Sequence, residues 1–232
     1  MSVHCGIDDG GILTVAIDDG DKNTLVPETF YALTAALDDH PEAAAVVLTG
    51  RDGILSAGLD LHWMSGEGRD GVEWLLNTFG TCLMRWWTDP RPTVCAAPGH
   101  AIAAGSLLAL ACDHAVATDG GWWGLTETRI DLEVPDFALA LARANLRTDR
   151  LEDLLLPGER VTAATAVEVG FADVLANDQR QALALARHRA EELATLPARA
   201  YAGTKRRLRG AAAEAVLGGL DDDVMMLTAH LG

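Results

Sequence analysis

Residues Pro98-Gly99-His100-Ala101-Ile102-Ala103-Ala104-Gly105 form a small-residue turn that runs directly into the apolar stretch Ser106-Leu107-Leu108-Ala109-Leu110-Ala111-Cys112. Ala103, Ala104 and Gly105 carry almost no side chain, so a ligand can approach their backbone closely. The first N–H groups of the helix that they open have no partner within it and lie at the positive end of its dipole. Donors of that kind suit an oxyanion developing during a reaction. A second small-residue turn, Ser56-Ala57-Gly58-Leu59-Asp60-Leu61, lies upstream. Taken singly, each turn also reads as close packing, with Asp60 as a helix cap.

Alternating strands and helices must position these turns. Residues 12–17 are β-rich and bounded by Gly and Asp clusters, which predicts a strand. Pro27 suits the first turn of a helix whose stripe is Phe30, Leu33, Ala36 and Leu37. Residues 43–49 predict the next strand. Residues 71–87 predict a helix carrying Trp74, Leu75, Phe79, Leu83 and Trp86, ended by Pro90 and Pro92. Residues 93–97 and 114–118 read as further strands, and the repeated βα pattern predicts an α/β fold. Beyond Asp136 the pattern is helical, over 137–146, 150–156, 163–169, 178–195 and 211–231.

With 232 residues and 49% hydrophobic content, the chain can bury one large core with a helical appendage. A formal charge of −16 excludes a general nucleic-acid or anionic-membrane surface, either of which needs a basic patch. Lysine occurs only at Lys22 and Lys205, so the run Lys205-Arg206-Arg207-Leu208-Arg209 stands out. It reads either as a solvated helix face or as an attractor for phosphates. Cys5, Cys82, Cys95 and Cys112 are scattered, which argues against a zinc site or a disulfide framework and for reduced thiols in the cytoplasm. Residues 1–9 lack the basic and apolar regions of a secretory signal. Residues 94–112 are apolar enough to suggest a membrane span, but Pro98-Gly99 in their middle favours a buried strand-turn-helix.

The two turns, in this order and followed by Leu110-Ala111-Cys112-Asp113, resemble the crotonase superfamily, the enoyl-CoA hydratase/isomerase fold. Asp21-Lys22-Asn23-Thr24-Leu25 is similar to the family's first acyl-CoA loop, Gly124-Leu125-Thr126-Glu127-Thr128 to its second catalytic segment, and residues 166–174 to its A-x-x-x-G-h-x-x-x-V stretch. The resemblance implies a ββα spiral core over residues 1–190 and a C-terminal helical region over 191–232 that mediates trimerisation, as a homotrimer or a dimer of trimers. It also implies an acyl-CoA thioester as the partner, with coenzyme A part of the substrate and no separate cofactor or metal.

Carried over position by position, the resemblance makes the N–H groups of Leu59 and Ala104 the two oxyanion donors. Lys22, Asn23, Ser56, Ala57, Gly58, Asp60 and Leu61 fall on the CoA-binding segments, with Ala57 and Leu61 holding adenine through the main chain. Family hydratases use two glutamates, because adding water needs a base for the water and an acid for carbon. Here the first of these positions is Leu107 and the second is Glu127. One glutamate matches a proton shuttle, as in the 3,2-enoyl-CoA isomerases of the superfamily. The chain departs from the family pattern at Ala103, Ala104 and Asp131, where relatives usually have glycine. Asp136 is the candidate second carboxylate, with Asp131 and Glu133 beside it. A hydratase, or another acyl-CoA lyase or hydrolase using Asp136 or Glu133 in place of the missing glutamate, and a non-catalytic acyl-CoA binder are the alternatives. Trp86-Trp87 and Trp122-Trp123 are candidates for lining an acyl pocket or for the core, and His62, His100 and His114 form no triad.

Overall fold

The computed structural model describes residues 2–230; Met1, Leu231 and Gly232 lie outside the described residues. The chain enters on β1 (Ser2–Ile7) and β2 (Ile12–Asp18), then passes through β3 (Thr24–Leu25) and α1 (Pro27–Asp38). A strand, strand, helix pattern then repeats. Its first turn is β4 (Ala45–Thr49), β5 (Gly53–Ser56), the short β6 (Gly58–Leu59) and α2 (Leu61–Trp87). The second is β7 (Thr93–Ala97), β8 (Gly99–Ile102) and α3 (Ala104–Leu110). The third is β9 (His114–Thr118), β10 (Trp122–Gly124), a 3-10 turn over Glu127–Ile130 and α4 (Asp136–Asn145). After α5 (Leu151–Leu155), β11 (Val161–Thr162), α6 (Ala163–Val169) and β12 (Val174–Ala176), the chain ends in α7 (Gln179–Ala194) and α8 (Ala198–Leu227).

The first strand of each repeat joins a six-stranded sheet of order β1-β2-β4-β7-β9-β12, and the second joins a smaller sheet of order β11-β10-β8-β5. This is the ββα spiral implied by the resemblance. Every residue of β4 and β7 is buried, as expected for parallel strands covered on both faces. On one face α7 lays Ala182, Ala186 and Ala190 against Val47, Val94 and Val116; four-residue spacing puts these alanines on one stripe and lets the helix approach closely. The larger core fills the other face, between the sheet and α1 to α6. Strand β1, an antiparallel edge on β2, was not part of the sequence expectation.

The largest differences from the sequence reading have tertiary reasons, most other limits shifting by at most two residues. Helix α2 begins ten residues earlier than residue 71, at Leu61, because Asp60 caps it by accepting the Trp63 N–H at 2.9 Å. Gly68, at φ 64° and ψ −171°, breaks it into two segments. Helix α8 starts at Ala198 rather than at 211 because its early half is tied down. Lys205 Nζ donates to Asp113 at 2.8 Å, Arg209 donates to it at 2.6 Å and the Tyr201 hydroxyl at 2.8 Å. The break expected at residue 190 falls inside α7, where Ala190 and Leu193 still pack on the sheet; the chain turns at 195–197 instead. Residues 94–112 form β7, β8 and α3, and among the described residues no helix is long and apolar enough to cross a membrane.

Candidate active site

The site is assembled where the turn after β5 meets the start of α3. Gly58 lies at φ 107°, a region open to glycine, and a Cβ placed there would sit 3.3 Å from Ala103 Cβ. Gly105 is tighter still. A Cβ on it would lie 2.5 Å from the Ser56 carbonyl oxygen, so only glycine lets α3 press against the first turn. Gly105→Ala is therefore expected to force the two turns apart and destabilise the fold by about 1–3 kcal/mol, measured as a fall in Tm.

Polar groups lock both turns. The Ser56 hydroxyl donates to the Asn23 carbonyl at 2.6 Å and accepts the Gly58 N–H at 3.0 Å. Asn23, fully buried, donates its amide to the carbonyls of Ile17 and Leu55 at 2.8 and 3.0 Å. Ser106, which the sequence reading passed over, donates to the Ala101 carbonyl at 2.6 Å and accepts the Gly124 N–H at 3.1 Å. Its signal was available: a hydroxyl in the first turn of an apolar helix needs partners once buried. The Ala103 N–H donates to the Gly124 carbonyl at 2.7 Å. These bonds fasten α3 to β10, and Glu127 follows β10 by three residues.

One cavity of about 90 Å³ brings together Gly58, Leu59, Ala103, Ala104, Leu107 and Glu127. Ala104 is the first residue of α3, so its N–H lacks an intrahelical acceptor. The Asp60 N–H donates to the Leu25 carbonyl, and strand alternation turns the neighbouring Leu59 N–H away from β3. Glu127 is 6% exposed, and its Oε2 has no hydrogen-bond partner among the described residues. Burial pushes its carboxyl up to about 7 from an ordinary 4.5. Leu107, 1% exposed, lines the same cavity with a hydrocarbon side chain.

Several anticipated residues lie elsewhere. Asp136 is exposed and belongs to another groove, beside Arg143 and Arg209, while its backbone N–H donates to Asp223. Asp131 and Glu133 are also exposed and outside the cavity. The absence of glycine at 131 is accommodated by an aspartate in the left-handed conformation, φ 61° and ψ 33°, which aspartate tolerates better than most residues. Asn23 is committed to fastening its loop, and Asp60 to capping α2 and accepting the Thr24 hydroxyl at 3.3 Å. Ala57 and Leu61, by contrast, both line the cavity, Leu61 at 50% exposure; the Ala57 N–H is taken by the Lys22 carbonyl at 3.0 Å, and the Lys22 side chain is exposed. Of the basic run, Lys205 and Arg209 are drawn inward to Asp113, leaving Arg206 and Arg207 exposed. Trp86, Trp87 and Trp123 are core residues and Trp122 is 45% exposed; none of them lines the cavity. All four cysteines are free.

Residues 8–231 match the family model described as enoyl-CoA hydratase/isomerase. A putative enoyl-CoA hydratase of Thermus thermophilus is 36% identical over 196 residues, covering 81% of this chain and 76% of the relative. Enoyl-CoA delta isomerase 3 of Arabidopsis thaliana is 28% identical over 182 residues, covering 74% and 76%. Among solved structures, an enoyl-CoA isomerase of Mycobacterium tuberculosis superposes with a TM-score of 0.88 at 30% identity, covering 94% of this chain and 96% of its own. The human mitochondrial delta3-delta2-enoyl-CoA isomerase shares the fold, with a TM-score of 0.94 at 24% identity over 99% of this chain and 92% of its own. Hydratase and isomerase names thus occur together among the relatives. A cavity pairing two small-residue turns with one buried glutamate agrees with the matched model, and the chain belongs to the enoyl-CoA hydratase/isomerase family of the crotonase superfamily.

Proposed function

We propose that this family member is an isomerase that moves a 3-enoyl-CoA double bond to the 2-position. The observation that carries the reading is that Glu127 is, among the described residues, the one carboxylate lining the cavity, while Leu107, which by the family resemblance matches a hydratase's other glutamate, lines it with hydrocarbon. The thioester oxygen accepts the N–H groups of Leu59 and Ala104. As Glu127 removes a proton from C2, negative charge collects on that oxygen, and fixed donors stabilise it most at the transition state. The electrons of the broken C2–H bond form the C2=C3 bond, those of C3=C4 move to C4, and Glu127 returns the proton there. Atoms and charge balance without water. Hydration needs a second group to activate the water, and Leu107 has nothing to offer it.

Purified protein is expected to convert 3-hexenoyl-CoA into 2-hexenoyl-CoA and to add no water to 2-hexenoyl-CoA. Water addition at a comparable rate would overturn the assignment in favour of a hydratase; binding without any turnover would favour an acyl-CoA binder. The base must be ionised to act, so kcat/KM is expected to rise about tenfold per pH unit up to about pH 7 and to level off above it. A limb centred near the ordinary carboxylate value of 4.5 would show that the titrating base is not a desolvated carboxyl. We further propose a homotrimer or dimer of trimers, supported by exposed Leu208, Leu217 and Met226 on α8, and a cytoplasmic setting, with which four free thiols agree.

A further inference from the structure

The cavity has an open rim and a closed end. Leu61 and Ile130 mark the rim, 50% and 47% exposed, whereas Leu76, Phe79 and Phe137 line the cavity at no more than 2% exposure. Phe79 stacks on Phe30 with ring centroids 4.6 Å apart and meets Phe137 edge-on at 5.3 Å. Phe137 has no room behind it. A Cβ built on Gly80 would lie 2.8 Å from both a Phe137 ring carbon and a Leu220 methyl, so ring, glycine and leucine are already in contact. Rings held at core density do not swing aside for a longer ligand.

Space sets the scale. The cavity is small, about 90 Å³, and is closed by rings at core density, so the room beyond a thioester head suits a short chain.

We propose that Phe79 and Phe137 close the acyl site and restrict the protein to short acyl thioesters, with Phe137 setting the limit. The proposal rests on the acyl-CoA reading of the site. Phe137 is the adjustable member because the position behind it is glycine: shortening this side chain opens space toward Gly80 and Leu220, whereas Phe79 is backed by Phe30.

The test is calorimetric titration of the whole protein with saturated acetyl-, butyryl-, hexanoyl-, octanoyl- and decanoyl-CoA, repeated with Phe137→Leu and Phe137→Ala. In the wild type, affinity is expected to climb about fourfold per added methylene up to hexanoyl, the effect of burying one CH₂, and then to fall with octanoyl. Phe137→Leu is expected to move the optimum to octanoyl, and Phe137→Ala further if it folds; the wild-type and leucine series suffice without it. Affinity that keeps rising through decanoyl in the wild type, or an unmoved optimum in Phe137→Leu, overturns the wall. Binding of no acyl-CoA at any length overturns the acyl-CoA reading beneath it, an outcome distinct from indiscriminate binding.

Discussion

Glu127→Gln is expected to lower kcat for 3-enoyl-CoA isomerisation by about 10²–10⁴-fold, the range for removing a positioned acid-base group. Affinity for saturated butyryl-CoA is expected to change little, because the proposed contacts to the thioester come from main-chain N–H groups of Leu59 and Ala104. The same substitution has an expected effect on stability, of opposite sign. Folded Glu127 keeps its proton up to about pH 7, whereas the unfolded carboxyl releases it near 4.5. Folding therefore takes up a proton between those values; the protein is most stable below the lower one and loses that stability as pH rises through the higher. Above pH 7 the buried carboxylate costs the fold at most about 3 kcal/mol, following the free-energy equivalent of a pKa change. Glu127→Gln should recover part of this at pH 8 and nothing at pH 4, measured by urea unfolding at both. A folded Glu127→Gln protein with wild-type turnover would remove the proposed base.

Ala104→Pro is expected to lower kcat by about 10²–10³-fold by deleting one oxyanion donor. The substitution is unusually clean in backbone terms. Ala104 is the first residue of α3, the helical position proline tolerates best, since its N–H has no intrahelical bond to lose. The residue before it complicates the experiment. Ala103 lies at φ 48° and ψ −114°, a conformation that strains alanine, and a following proline narrows its choices further. The comparison is therefore Ala103→Gly/Ala104→Pro against Ala103→Gly, with circular dichroism confirming the fold and stopped-time assays giving kcat. Equal turnover in the two proteins would show that the Ala104 N–H holds nothing.

The small-residue turns, the family resemblance and the pairing of Leu107 with Glu127 were legible in the sequence because each is carried by residue type at a local spacing. The same locality explains the boundaries that held: β7, β9 and α6 have the limits that their periodicity predicts. Periodicity describes one element at a time, however, and misses what neighbouring elements impose. Thus the early half of α8, weakened by Gly203 and Gly210, is helical in part because Lys205 and Arg209 reach Asp113 across the fold.

The carboxylates show where local information stops. Glu127, Asp131, Glu133 and Asp136 lie within ten residues, and nothing in their types says which one is withdrawn from water. Packing decides it: the 3-10 turn directs Glu127 into the apolar cavity, and the left-handed Asp131 then carries the chain outward, leaving the other three exposed. Burial alone changes the chemistry of that side chain, since a desolvated carboxylate is a stronger base than a hydrated one. The sequence by itself determined the family, the two small-residue turns and the lack of a glutamate at Leu107. Only the tertiary structure decided that Glu127 is buried with its Oε2 unpaired among the described residues, that Asn23 and Asp60 fasten the scaffold, and that Phe79 and Phe137 line the closed end of the cavity, because each depends on contacts between segments far apart in the chain.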